Sequence, residues 1–281
     1  MMTTATTTTR SEELTGIRAL RLTNPRGHVR IGCTTTDGTA RVRLTARGDV
    51  DLGRVELRSD EGLLVVDVPP LTDEEAGQGF TLRLGPLSLG APGAGPTPVD
   101  LEVDLPGGAD VSVRTKVGSI DVTGEAGAVT ARTGAGDIRV DSAGHVRLSC
   151  GSGEVTLRTC HGGEITTGAG DITVGEASGP ELQCRAGAGA VRIRHSRSDR
   201  VTVATGSGDV TVHLDRGALE CRSGAGNVET VVPGGVPVWL DLTSGIGRVT
   251  KDVEPVGAPR EGQPHLSVRV RTGVGDVHVH H

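Results

Sequence analysis

Four aspartates, Asp137, Asp171, Asp209 and Asp276, each stand directly after the second glycine of a Gly-x-Gly triplet. Carboxylates repeated in one register raise the question of calcium, a hard cation bound through oxygen. A calcium-binding roll places Gly-Gly-x-Gly-x-Asp at both turns of its coil, and this chain does not. Its aspartate column is also broken by Glu154, Ala190, Asn227 and Arg248. The pattern favours aspartates that stabilise turns through nearby backbone N–H groups, and it disfavours calcium.

His278 and His280 alternate along the last stretch of the chain, so both project from one strand face, and His281 follows. Two imidazoles can bind a metal weakly, yet the neighbouring sequence offers no cysteine or carboxylate at a recognisable ligand spacing. The expectation is a solvated terminus, with no metal and no cofactor assigned. Cys160 and His161 are adjacent in a turn, which does not by itself pair a nucleophile with a base. Cys184 and Cys221 share a register with Val203 between them, about 9.6 Å apart at one strand spacing per step. That is too far for a relaxed disulfide, and buried small hydrophobes are expected. No catalytic residue is assigned. The remaining candidate is Trp239, the single tryptophan, in a strand whose even positions face inward. It should point outward, either covered by the proline-containing segment that follows or exposed as a partner contact.

These residues need a scaffold, and the chain writes one repeatedly. The plainest copy is Gly206-Ser207-Gly208-Asp209-Val210-Thr211-Val212, a turn followed by a strand. The second glycines, with equivalents, fall at 118, 136, 153, 170, 189, 208, 226, 247 and 275, giving intervals of 18, 17, 17, 19, 19, 18, 21 and 28. Positions seven and five residues before each origin, and two and four after it, form four apolar columns, with Gly163, Thr230 and Lys251 as the exceptions. Those offsets are separated by 2, 7, 2 and 7 residues and sum to an 18-residue repeat of two short strands and two turns. Stacked coils would turn each column into a ladder with neighbours about 4.8 Å apart and its apolar members in one interior. The expected fold is all-β: a parallel β-solenoid (β-helix) of about 18 residues and two main strands per coil. An antiparallel meander shares the half-period but would need more strands in one open sheet than usually remain uncurled.

The repeated Gly-Ser/Ala-Gly-Asp-Ile/Val-x-Val motif resembles the bacterial β-strand-repeat family called putative adhesins. The segments from Val103 to Val111 and from Val268 to Val277 share that resemblance. It covers about residues 99 to 281, and it implies a parallel β-solenoid of unestablished biochemical activity.

Composition bounds the rest. Forty-four glycines and almost no aromatics among 281 residues would suggest disorder, were the remaining apolar residues not mainly Val, Leu and Ile at regular spacing. A net charge of -6 and scattered arginines leave no basic stripe for nucleic acid. No apolar run approaches the length that crosses a bilayer. Five cysteines, an odd number, fit a reducing compartment. With no secretory pattern read at the start, a cytoplasmic location is expected.

The domain reading is a disordered Thr-rich tail over 1–14, an irregular N-terminal β region or cap over 15–84, a Gly/Pro-rich linker over 85–98, and solenoid repeats over 99–281 with an insertion at 252–265. A short helical turn is expected at 72–76. Lys251 and the proline-containing insertion read as protection of a solenoid end. The functional expectation is a non-enzymatic scaffold or protein-interaction module, adhesin-like by resemblance, with a protein partner or self-association. The alternatives are a self-assembling structural polymer and a carbohydrate- or ligand-binding or cleaving β-helix. The last is disfavoured by the shortage of aromatic platforms and paired carboxylates, and the 2, 7, 2, 7 spacing contradicts a three-sided hexapeptide helix.

Overall fold

The structure, a computed structural model, describes residues 7–36, 38–48, 50–71, 81–84, 87–90, 97–254 and 265–281. The first ten strands are β1 (Thr7–Thr15), β2 (Ala19–Arg26), β3 (Val29–Thr35), β4 (Thr39–Arg47), β5 (Glu56–Asp60), β6 (Leu63–Asp67), β7 (Thr81–Leu84), β8 (Leu87–Gly90), β9 (Val99–Pro106) and β10 (Asp110–Val117). Two long strands, β11 (Ile120–Ala135) and β12 (Ile138–Ser152), run through a corner of the coil. Then follow β13 (Val155–Cys160), β14 (Gly163–Ala169), β15 (Ile172–Ala177), β16 (Glu181–Ala188), β17 (Val191–Ser196), β18 (Arg200–Ser207), β19 (Val210–Leu214), β20 (Ala218–Ala225) and β21 (Val228–Val231). The last four are β22 (Val238–Ile246), β23 (Val249–Asp252), β24 (Leu266–Val274) and β25 (Val277–His280).

The body is a two-faced parallel β-solenoid. One face runs β10, β11, β12, β14, β16, β18, β20; the other runs β11, β12, β13, β15, β17, β19, β21, every pair parallel. The four apolar columns are the observed registers: Val201 pairs with Leu219, Val203 with Cys221, Val210 with Val228 and Val212 with Thr230. Their inward members, such as Ile172, Val191, Val203 and Val210, are fully buried. Each is worth about 1.5–3 kcal/mol removed from water, so the interior supplies the driving force while entropy opposes it.

The glycines are where one coil touches the next. Gly208 has φ 134°, and a Cβ there would lie 2.2 Å from the carbonyl oxygen of Gly189 in the preceding coil. At Gly206 a Cβ would lie 2.5 Å from the Gly187 oxygen. Backbone stacks on backbone at this corner, and no side chain fits between. Gly163, an exception in its column, obeys the same rule, since its Cβ would meet the Val146 carbonyl at 2.0 Å.

Both ends depart from sequential stacking. At the C-terminal end β20 pairs with β24, and β24 with β22; likewise β21 pairs with β25, and β25 with β23. The last coil in sequence, 266–280, is inserted between 218–231 and 238–252. Its inward Val268, Val270, Val277 and Val279 are fully buried, whereas the outer coil carries Lys251 and the exposed Trp239, Ile246 and Val249. The coil that can be covered on both sides takes the inner place. The N-terminal end repeats the device: β2 lies between β6 and β10, and β3 between β9 and β11, all parallel.

Three boundaries are corrected. Residues 7–14 belong to β1, which pairs antiparallel with β4 from Thr7 opposite Arg47 to Thr15 opposite Thr39, and are not a disordered tail. Its composition misleads because a strand that covers a sheet edge needs β-propensity and backbone partners, and no apolar face. The region 15–84 is not merely irregular, because Leu20, Leu22, Val29 and Ile31 continue the four columns in register with Val111, Val113, Ile120 and Val122. The antiparallel strands β4 and β5 interrupt the period there and hide it. Within the expected linker 85–98, Leu87–Gly90 is a strand paired with Thr81–Leu84. The helical turn expected at 72–76 and the interior of the insertion, 255–264, lie outside the described residues.

Candidate functional site

The aspartate column is built by the turn. The residue after each second glycine sits at a corner, and where it is aspartate its side chain reaches the next coil. Asp137 Oδ1 accepts the backbone N–H of Glu154 at 3.0 Å, and Asp171 Oδ1 that of Ala190 at 2.8 Å. Asp209 Oδ1 accepts from Asn227 and Asp276 Oδ1 from Arg248, both at 2.8 Å. The second carboxylate oxygens of Asp137 and Asp171 meet Arg139 at 2.8 Å and Arg192 at 3.0 Å. These backbone N–H groups, with arginine support, hold both carboxyls below their ordinary range. The carboxylates bind the solenoid to itself, one coil to the next, as the turn-stabilising reading expects.

A fifth column escaped the sequence reading. Three residues before the origin stand Thr133, Cys150, Thr167, Thr205 and Thr272, all buried. Thr133 Oγ1 donates to the carbonyl of Gly118 at 3.0 Å, Cys150 Sγ to that of Gly136 at 3.2 Å, and Thr272 Oγ1 to that of Gly226 at 3.3 Å. A small hydroxyl or thiol three residues before eight of the nine origins, with Ala186 as the exception, was the available signal.

The cysteines are structural. All five are free and buried, and Cys184, Val203 and Cys221 stand in successive coils as expected. Burial pushes the Cys221 thiol up to about 12 and Cys33 to about 11, far from a reactive thiolate. Cys160 faces the interior while His161 is exposed, so the adjacent pair does not converge.

Trp239 lies outward on β22, 51% exposed, with the Arg269 guanidinium 5.5 Å from its ring centroid. Ile246, at 71%, and Val249 are exposed on the same terminal coil. Among the described residues, β22 and β23 have strand partners on one side only. The terminal histidines are not simply solvated, for His281 Nδ1 donates to the carbonyl of Val232 at 3.3 Å. His278 and His280 meet carboxylates from neighbouring coils, Asp252 and Glu229. At the opposite end, a groove of about 360 Å³ is lined in part by Arg30, Arg43 and Glu102, whose charges pair at 3.3 and 3.5 Å.

This architecture defines a two-faced parallel β-solenoid whose core is spent on stacking and whose outward faces carry polar ladders. The chain belongs to the family described as Toastrack DUF4097, which it matches over residues 99–280. Its fold resembles that of a putative adhesin from Parabacteroides distasonis at 11% identity and TM-score 0.54, covering 98% of this chain and 97% of that one. A putative adhesin from Parabacteroides merdae is similar at 9% identity and TM-score 0.54, covering 96% and 95% of the two chains. At these identities the likeness concerns the fold. No curated protein matches the chain.

Proposed function

We propose that the chain is a non-enzymatic interaction module in which the open C-terminal coil receives a protein partner. The observation that carries this reading is the terminal coil itself: Trp239, Ile246 and Val249 are exposed beside a strand edge, whereas the other exposed large apolar side chains among the described residues are single ones, Val117 in the body and Val274 on the inserted coil. An extended segment of a partner would add to β22 through main-chain hydrogen bonds, with Trp239 as the aromatic anchor. Engagement of the corner aspartates in coil-to-coil bonds and burial of the five thiols support a non-enzymatic role. The free thiols also fit a reducing, cytoplasmic setting. The polymer alternative is weaker, because the N-terminal end presents antiparallel strands to an incoming parallel edge.

A photo-crosslinking residue placed at 239 and, as reference, at 211 on the mid-body face tests this in the native cell. The expected result is a discrete protein adduct from 239, reduced by Ile246→Lys and absent from 211. Equal labelling at both sites, or none at 239, would remove the proposal, and adducts with the chain itself would replace the partner by a second copy. The indole emission of Trp239 should be red-shifted and readily quenched in the free chain.

A further inference from the structure

Three strands that are distant in sequence bring four titratable side chains together on one outward patch. Glu229 comes from β21, His278 and His280 from β25, and Asp252 from β23. In register, His278 stands between Glu229 and Thr250, and His280 between Val231 and Asp252. The contacts cross that register diagonally. His280 Nε2 lies 3.0 Å from Glu229 Oε1, and His278 Nε2 lies 2.8 Å from Asp252 Oδ2. The two imidazoles stack with centroids 4.6 Å apart, inclined by 31°.

One ligand atom from each of Glu229, His278 and His280 lies within 4.8 Å of the other two. Zinc–ligand bonds of about 2.0–2.2 Å place tetrahedral donors roughly 3.4 Å apart, so small rotations of these half-exposed side chains close the site. His280 is oriented by Nδ1–H, which donates to the backbone carbonyl of His281 at 3.0 Å, while Nε2 shares with Glu229 Oε1, also at 3.0 Å, a proton that an arriving ion would displace. Asp252 supplies the corresponding oxygen partner for His278, the arrangement by which a carboxylate fixes a metal-bound imidazole. Two imidazoles with a carboxylate suit zinc and its transition-metal neighbours better than calcium or magnesium.

We propose that Glu229, His278 and His280 form a binding site for a divalent transition-metal ion of the zinc class, with Asp252 orienting the His278 imidazole. The ion would join the inserted coil 266–280 to the coil before it, and through Asp252 to the coil outside it. It would thus fasten the one place in this half of the molecule where chain order and stacking order differ. The inference is independent of the partner reading.

The test uses the full chain, stripped with a chelator, titrated with zinc chloride by calorimetry and with cobalt chloride by visible absorption. One ion per chain is expected, with a tetrahedral cobalt band and a rise in Tm on adding zinc. His280→Ala and Glu229→Gln should each weaken binding by at least about 100-fold, and Asp252→Asn by about 10–100-fold. A second histidine pair, His195 and His213 with centroids 5.9 Å apart, provides the control, and His213→Ala should leave the titration unchanged. Far-UV circular dichroism checks that each outward substitution leaves the strands intact. No saturable binding by the unmodified chain overturns the proposal. So does binding that persists in both His280→Ala and Glu229→Gln, or is lost in His213→Ala.

Discussion

The two ends of the solenoid solve the same problem differently. Each interleaves its terminal coil, so that 19–35 and 266–280 are both paired on two sides. Beyond that, the N-terminal end is closed: β4 lies antiparallel on β9, β1 on β4 and β5 on β6, and Val50, Leu52, Val55, Val68 and Leu71 are buried there. Among the described residues, the C-terminal end stops at a parallel coil paired on one side only, with Lys251 in a column whose other members, Thr230 excepted, are apolar, and with Trp239 outside. Closure by antiparallel strands replaces the parallel edge with an antiparallel one that no further coil continues, whereas a charge in the last rung leaves the parallel edge in place and discourages another coil from stacking on it. The first end is finished, and the second is available.

The sharpest way to break this contrast is to move the charge. Val212 and Lys251 occupy the same column, Val212 fully buried in the body and Lys251 exposed on the outer coil. Val212→Lys places an unpaired ammonium in the interior and should cost about 4 kcal/mol or more in urea unfolding. Lys251→Val should change stability by less than about 0.5 kcal/mol, while raising concentration-dependent self-association in sedimentation. Comparable losses from both would show that the outer coil is as enclosed as the body.

Removing Thr7–Thr15 probes the closed end. The deletion strips the outer partner from β4, whose Ala40, Val42 and Leu44 face the core, and takes with it the half-buried Leu14, packed against that core, and the Arg10 bonds to the Leu52 and Val55 carbonyls. A loss of about 1–2 kcal/mol, a Tm fall of roughly 2–8 °C for a chain of this size, is expected together with new self-association. An unchanged, monomeric protein would mean that β1 is decoration and that the closure lies in β4 and β5 alone.

The columns were legible because a parallel stack repeats one environment, so Val, Ile and Leu return at fixed offsets from each glycine. Coil order was not. The register of Val268 is the same whether it follows Leu240 or Leu219, and the sequence hinted at the change only through the long intervals and Lys251. The histidine cluster was hidden for the same reason. Glu229 and His278 become neighbours only because coil 266–280 inserts beside 218–231, and in sequential stacking a whole coil would separate them. The Thr-rich strand β1 was missed because an edge strand is ordered by backbone pairing, which leaves little mark on hydrophobic pattern. Trp239 was placed outward correctly, since alternation along β22 is a local property.

The smallest expected effect distinguishes the body from the closed end. Asp137 and Asp171 titrate below the ordinary value of 3.8 because each accepts a backbone N–H from the next coil, with an arginine beside it. The unfolded chain therefore takes up these protons first as pH falls, and the stability they contribute, complete above about 3.8, is lost as pH drops through the folded values. Asn at both positions keeps an accepting oxygen and cannot titrate. The doubly substituted chain should be slightly less stable near neutrality, show a flatter acid limb in urea unfolding, and converge with the parent at the lowest pH. Amide exchange should locate the loss. Glu154 and Ala190, whose N–H groups these carboxylates hold, should lose protection relative to neighbouring amides as pH falls. Arg43, in the antiparallel closure between β1 and β9, should keep its protection because backbone carbonyls do not titrate there. Parallel stability curves for the parent and the double variant would show that the coil-to-coil bonds do not depend on ionisation, and acid would then have no means of loosening the body before its closed end.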